Sequence, residues 1–402
     1  MIGGNDELGK HIRELDGVRG LACLGVILAH CLAGPMVDPP EFIAVVWKHS
    51  QYFLLGGVDL FFVLSGFLIG GILIDQRGAP NYFLAFWTRR AGRILPVLFL
   101  LVASYTFILL LRPLLNTSWL DDWLLKKPVY SPLWYLTFTQ TIPMVATNTG
   151  LDSAGPRWMG ITWSLAIEEQ FYLIFPVVVY LLPPRRLKYL LMCLVLLAWI
   201  SRSLMHHYVG WYEAYISLPG RVDCLSLGVL VAILVRDPVA LGAARKWRLA
   251  LDGVILALAY AIAMFQFHGW SAALVDYPLA STATLSLVYT AIALMFALCI
   301  LRIFLYPASW HSRALTWRPL TMLGMISYGL YMYHQAINGL VHGILFAGVP
   351  TIGSWWQLAA AFLAIALAIA VATASYVWIE TPIRRQAQRI SYRPLGDALA
   401  ST

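Results

Sequence analysis

An arginine and a histidine eleven residues apart, Arg19 and His30 in LDGVRGLACLGVILAH, sit in a run that turns from polar to apolar. On a helix turning about 100° per residue, eleven steps return the chain to within about 20° of its starting direction and about 16 Å along the axis. The two side chains are therefore expected on one face. Asp16, three residues before Arg19, falls on the same side and can pair with it. Ionisable groups aligned within an apolar helix are costly in lipid, so they are expected to face a bundle interior or a water-filled cavity. There an imidazole can work as a general base or as a nucleophile. The simpler reading is a signal peptide or an ordinary first anchor, which Lys10, Arg13 and an apolar run would fit, and it is the less expected one. A leader has no use for a charge and an imidazole on one face, and no small-residue cleavage site follows.

Other segments carry polar groups into apolar surroundings. Asp59 and Ser65 lie in GVDLFFVLSGFLIG, Glu168 and Glu169 in TWSLAIEEQFYLIFP, Arg221 and Asp223 in PGRVDCLSLG, and His334 in YGLYMYHQ. Depths counted at about 1.5 Å per residue put these titratable groups near the level of His30, in the outer half of a bilayer. A carboxylate at that level, Asp59 or one of the glutamates, would orient the imidazole and stabilise its charged form. Neighbouring helical residues point about 100° apart, so only one of Glu168 and Glu169 can face inward. Simpler readings stand beside these: Asp59 partners an arginine or lysine, Arg221 and Asp223 pair with each other, and His334 is a helper or a packing residue.

Toward the other end of the spans, FWTRRAGRILP places Arg89, Arg90 and Arg93 together, with Arg90 and Arg93 one helical turn apart. Guanidinium matches phosphate oxygens bidentately, so these groups and Arg19 suit a phosphorylated ligand. The positive-inside rule also explains them without a ligand. A donor with a phosphate-rich head and a long flexible arm, as coenzyme A has, would anchor at this mouth and thread its acyl end up to His30. No metal is demanded.

The elements that must position these groups can be read from composition. Of 402 residues, 60% are hydrophobic and 12% charged, with a mean hydropathy of +0.72. A soluble domain carries about twice that charged fraction. Aromatic residues make up 13%, as expected where amphipathic rings collect at membrane interfaces. The net charge of +8 comes from basic residues scattered in short loops, not striped along one element, which argues against nucleic acid as a partner. Cys23, Cys31, Cys193, Cys224 and Cys299 fall in apolar stretches without metal-ligand spacing and read as small core residues.

Runs long enough to span a bilayer appear at 18–36, 52–74, 94–111, 161–182, 189–208, 216–235, 249–267, 282–301, 320–346 and 355–379. The run at 132–147 is broken by Pro132 and Pro143 and reads as re-entrant or interfacial. The expected fold is an all-α integral membrane protein of about ten transmembrane helices plus that one segment. With the N-terminus cytoplasmic, 21 of the 28 Lys and Arg fall in inside segments, which places both termini inside. The expected organisation is a membrane domain over 1–382 and a short basic cytoplasmic tail over 383–402. No fixed-period repeat, low-complexity tract or strand signal interrupts it.

These motifs in order resemble acyltransferase family 3, the membrane-bound O-acyltransferases of surface polysaccharides and related acceptors. The resemblance covers nearly the whole chain. It rests on Arg/Lys-x10-His at Arg19 and His30, GVDLFFVLSGFLIG, the RxxR of Arg90 and Arg93 leading to Pro96, WSLAIEEQFYLIFP, YGLYMYHQ and WIETPIRR. Two departures are small: Ala166 stands where serine is common, and Leu95 replaces a frequent tyrosine. The resemblance implies a bacterial inner-membrane enzyme moving an acyl group, usually acetyl, from cytoplasmic acyl-CoA to a hydroxyl of a glycan or lipid-linked saccharide. It implies a catalytic role for His30 and roles in activity or donor handling for Arg19, Arg90 and Arg93. Some relatives carry an extracellular SGNH-type domain after the membrane core. None is read in this sequence, so a second transfer step is expected to need another protein. The alternative is a transporter, proton-coupled or glycan-related, using the buried His, Asp and Glu as a relay. The paired halves with broken helices that transporters show are not evident, and a sensor or scaffold would leave the aligned polar layer without purpose.

Overall fold

A computed structural model describes residues 12–33, 36–37, 54–114, 128–147, 156–268, 279–307 and 309–393. Lys10, the first residues of the second expected span and the end of the basic tail lie outside the described residues.

The ten expected spans all appear as helices. They are α1 (Arg13–Leu28), α2 (Gly57–Asp75), α3 (Tyr82–Leu111), α7 (Trp163–Leu181), α8 (Pro184–Tyr208), α10 (Leu218–Arg236), α12 (Arg248–His268), α13 (Leu279–Leu305), α15 (Arg318–Phe346) and α16 (Trp355–Ser375). Short helices lie between them or after them: α4 (Pro132–Leu136), α5 (Thr141–Thr147), α6 (Arg157–Gly160), α9 (Trp211–Tyr215), α11 (Pro238–Lys246), α14 (Trp310–Leu315) and α17 (Thr381–Gln388). Among the described residues, nine helices are long and apolar enough to cross a membrane. The remaining one, α15, has 29 residues and a length of about 43 Å, but its histidines, Gln335 and Asn338 lower its apolarity. An isolated bridge joins Met36 to Ile352.

The chain divides into two compact units. One comprises α1 to Val26, α2 to Ile72, and the chain from Leu182 through Met325. Within it α8, α10 and α13 pack along one another. At the crossing of α2 and α10, a Cβ on Gly66 would meet the Leu225 carbonyl and one on Gly228 the Val63 carbonyl. Missing side chains there let two backbones touch, the usual solution where lipid supplies no hydrophobic drive to associate. Phe67 and Phe304 add a tilted ring contact at 4.9 Å.

The other unit comprises Ile27–Trp47, Leu73–Leu181 and Ile326–Thr402. It begins with the π-helical turn Ala29–Ala33 that ends the first helix, and this turn packs on α16. The regular 3.6-residue period therefore stops before His30. The segment at 132–147 becomes α4 and α5, of five and seven residues, meeting around Phe138 at φ 56°. Neither can cross a bilayer. Gln140 Nε2 donates to the Thr162 carbonyl at 2.9 Å and Gln170 Nε2 to the Phe138 carbonyl at 2.8 Å, tying the segment to α7. The 30-residue α3 carries α17 across its first half, where Gly92 leaves room for Ala387. Exposed Trp355 and Trp356 at the start of α16 precede exposed Trp378, in the π-helical turn that follows it, by about 34 Å of helix, close to the thickness of a hydrocarbon core.

None of the five cysteines forms a disulfide among the described residues. Cys23, Cys31 and Cys224 are buried as expected, whereas Cys193 is exposed on α8.

Candidate functional site

The second unit brings His30 and His334 together. His30 Nδ1 lies 2.9 Å from His334 Nε2, and the rings are 5.1 Å apart at an interplanar angle of 5°. Face-to-face stacking would bring the centroids closer. This distance with a short N···N contact describes coplanar rings meeting edge to edge through one hydrogen bond.

The next contact fixes the proton positions. His334 Nδ1 lies 2.6 Å from the Tyr331 carbonyl, which can only accept, so Nδ1 carries the hydrogen. In a neutral ring His334 Nε2 is then an acceptor, and the bond between the rings is donated by His30 Nδ1. Neutral His30 is left with an unprotonated Nε2, the nitrogen a base or nucleophile needs. Tyr331 is itself fixed: its hydroxyl lies 2.8 Å from Ser164 Oγ and donates to the Ile161 carbonyl at 3.2 Å. Arg157, exposed at the start of α6, acts on His30 electrostatically. The partner expected for the imidazole was a carboxylate; the one found is a second imidazole.

Glu168 and Glu169 join a different set of residues. Glu169 interacts electrostatically with Arg90, Arg93 and Glu168, and Tyr328 with Glu169 and Arg93. Tyr172 donates to Glu168 Oε2 at 3.0 Å. The Arg90 guanidinium lies over the rings of Tyr172 and Phe86 at 5.5 and 5.9 Å. Among the described residues, Glu169 Oε1 is enclosed without a hydrogen-bond partner. Tyr328 precedes His334 by six residues on α15, about 9 Å of helix. The single polar layer expected from sequence is thus two levels within this unit, histidines at one and an arginine–carboxylate cluster at the other. Arg89 leaves the cluster: its Nε donates to the Ile390 carbonyl at 2.9 Å and its guanidinium lies over Tyr392. It holds the segment after α17, which Asn81 brackets through Ser391 and Arg393.

The first unit holds the other predicted residues. Arg19 pairs with Asp16 at 2.7 Å, as the three-residue spacing anticipated. Arg221 and Asp223 do not pair with each other. Arg221 reaches Asp59 at 2.8 Å, and Asp223 takes Arg202 at 2.9 Å and the Thr290 hydroxyl at 2.7 Å. Both ion pairs are almost fully buried, and Arg202 also donates to the Gly220 carbonyl. Rings of Tyr215, Tyr289 and Phe62 flank the Arg221 guanidinium. Asp59 is thereby committed to an arginine, the simpler of its two readings. Ser65 is half-buried on α2.

Two participants escaped the sequence reading. Arg202 was visible as a lone arginine inside an apolar run. Glu380, within WIETPIRR, is buried in the π-helical turn Tyr376–Glu380 and accepts from Ser375 Oγ at 3.2 Å. Arg93 acts on it electrostatically.

Apolar helices of bilayer length that enclose a histidine relay and paired charges define a multispan membrane protein. More narrowly, the chain belongs to acyltransferase family 3, whose acyltransferase domain matches residues 12–375. It is 29% identical over 391 residues to the O-acetyltransferase OatA of Staphylococcus aureus (strain NCTC 8325 / PS 47), covering 94% of this chain and 58% of that protein. It is 30% identical over 396 residues to the putative peptidoglycan O-acetyltransferase YrhL of Bacillus subtilis (strain 168), covering 94% and 56% respectively. A putative O-acetyltransferase of Staphylococcus aureus (strain COL) is 26% identical over 413 residues, covering 96% of this chain and 59% of the relative. The chain thus spans less than three fifths of the length of each of these relatives. No solved structure matches it.

Proposed function

We propose that the chain is a membrane O-acetyltransferase that moves an acetyl group from cytoplasmic acetyl-CoA to a hydroxyl of a glycan or lipid-linked saccharide. The observation carrying this reading is the relay from the Tyr331 carbonyl through His334 to His30, which leaves His30 Nε2 as an acceptor. In the reaction the acceptor oxygen bonds to the thioester carbonyl carbon while its proton passes to His30 Nε2. The C–S bond then breaks, and the imidazolium returns the proton to the departing sulfur. In the carrier route the same lone pair attacks the thioester carbonyl carbon, the C–S bond breaks and the sulfur leaves as thiolate with acetyl held on Nε2; the acceptor oxygen then displaces the imidazole from that carbon, and its proton goes to the thiolate. In both routes His334 receives the His30 Nδ1 hydrogen and holds the ring.

Arg90 and Arg93 suit the phosphates of the donor, two guanidinium groups one turn apart on α3. Glu168 and Glu169 offset part of that charge. They keep the arginines ordered and give a departing donor a competitor for them, a different role from the catalytic one expected of them. Arg19, paired with Asp16 in the first unit, is kept as a further candidate for donor handling. Both termini are taken as cytoplasmic, from the distribution of Lys and Arg, with residues 1–382 forming the membrane domain and 383–402 the tail.

His30→Ala in the purified, lipid-embedded protein tests the central assignment. CoA release and acetylated product are both expected to vanish while insertion and folding persist; retained product removes His30 from the chemistry. Acid quenching after donor alone, followed by peptide mass analysis, separates the two routes, because only the carrier route leaves acetyl on His30.

A further inference from the structure

Within the first unit, α11 leads the chain from α10 into α12, and an open groove of about 300 Å³ lies where α12 meets α13. Leu251 and Val254 of α12 and Leu298, Leu301 and Leu305 of α13 line it, with Trp247 at the start of α12. Only 6% of the stretch Arg248–Phe265 is buried in the protein, so this face of α12 is open to the membrane. One turn of a helix with its side chains fills about 420 Å³, taking a cylinder 10 Å wide and 5.4 Å tall. The groove is smaller than that and suits a single hydrocarbon chain.

Charge gathers at one end of the groove. Arg245, Lys246 and Arg248 are exposed where α11 joins α12. Tyr306, just past the end of α13, holds this corner: its hydroxyl donates to the Arg245 carbonyl at 2.8 Å, and the guanidinium groups of Arg248 and Arg302 lie over its ring at 5.1 and 4.7 Å. Asp252 accepts from Arg302 at 2.5 and 3.4 Å and stands 3.9 Å from Arg248. One carboxylate thus answers one of four cations. Asp237, at the far end of α11, accepts from the Val239 and Ala240 N–H groups as the helix cap. Val254 lies about 10 Å along the chain from Trp247, as Leu298 does from Leu305, so the groove runs from a basic rim to an aliphatic end.

We propose that this groove is a specific site for an anionic phospholipid, with one acyl chain between α12 and α13 and the phosphate among Arg245, Lys246 and Arg248. A soluble anion would use the rim and leave the groove empty, whereas an amphiphile matches both ends. The excess of positive charge selects an anionic headgroup over a zwitterionic one, and guanidinium and ammonium donors suit phosphate oxygens. Trp247, 69% exposed at the rim, has the amphipathic ring that settles at headgroup depth. None of these residues belongs to the histidine relay or the Arg90–Arg93 cluster, and the inference stands apart from the acetyltransferase reading.

The test titrates the full chain in detergent with dioleoyl phosphatidylglycerol and, separately, with dioleoyl phosphatidylcholine, counting bound lipid by native mass spectrometry. One phosphatidylglycerol is expected to bind about tenfold tighter than the first phosphatidylcholine. Arg245→Ala, Lys246→Ala and Arg248→Ala should each weaken that site about fivefold. Ala250→Trp, which fills the groove and leaves the rim intact, should abolish it. All four positions are exposed, so the variants are expected to fold, as size-exclusion chromatography would verify. Equal binding of the two lipids overturns the proposal and reduces this face to ordinary annular coverage. Phosphatidylglycerol binding unchanged in all three charge variants, or unchanged in Ala250→Trp, overturns it as well. Glycerol 3-phosphate that displaces the lipid at equal concentration would leave only an anion site, and a dimer that Ala250→Trp disrupts without affecting lipid would assign the groove to a second copy; either result refutes the lipid site.

Discussion

Replacing His334 with alanine removes the acceptor that holds the His30 Nδ1 hydrogen, and the geometry of the relay sets the size of the loss. In the ground state the bond between the rings is neutral, 2.9 Å long and in plane. Once His30 takes a proton, the same bond is donated by a cation, and such charge-assisted bonds contribute about 1.5–3 kcal/mol. The interaction strengthens as charge develops, so its loss falls on kcat. The expected reduction is about 10- to 150-fold, with little change in the KM of either substrate. A glutamine at 334 places its carbonyl oxygen near the former Nε2 and should restore part of the rate, although the anchor to the Tyr331 carbonyl is gone. The assay is CoA release under saturating donor and acceptor, for protein whose folding is verified by size-exclusion chromatography. An alanine variant with wild-type kcat would refute the relay. So would a glutamine variant no faster than alanine, because the role of position 334 is to accept the Nδ1 hydrogen.

The remaining clusters carry expectations of their own. Arg90→Ala or Arg93→Ala should weaken acetyl-CoA binding by about tenfold or more while the protein still assembles, as donor titration of purified variants would measure; unchanged donor affinity removes the phosphate role. Asp59→Ala strands the buried Arg221 guanidinium and should destabilise the fold by about 3–5 kcal/mol, whereas an apolar pair at both positions should recover most of that loss. Thermal unfolding in detergent reads the difference, and a double variant no more stable than the single one would argue that the pair does more than neutralise itself.

Within the sequence, apolar runs were long enough to announce every major helix, because a bilayer imposes length and apolarity on any segment that crosses it. The interruption at 132–147 was legible for the same reason: prolines and insufficient length left no way to span. Local spacing also carried the Asp16–Arg19 pair, which lies within a single turn and needs no tertiary information. The motifs that mark the family were contiguous, so identity could be read without a fold.

Partnership between distant residues was not legible. Arg221 and Asp223 are two positions apart yet separate to Asp59 and Arg202, because residues two apart on a helix face opposite ways and each takes the charge that its own neighbouring helix presents. Glu168 and Glu169 sat at a depth compatible with His30 by counting residues, but electrostatics couples Glu169 to Arg90, Arg93 and Tyr328. The chain alone determined which residues carry charge or an imidazole through the membrane, since composition and period are enough for that. Tertiary structure decided which of them meet, and through a carbonyl that can only accept, it decided which nitrogen of His30 is left to act.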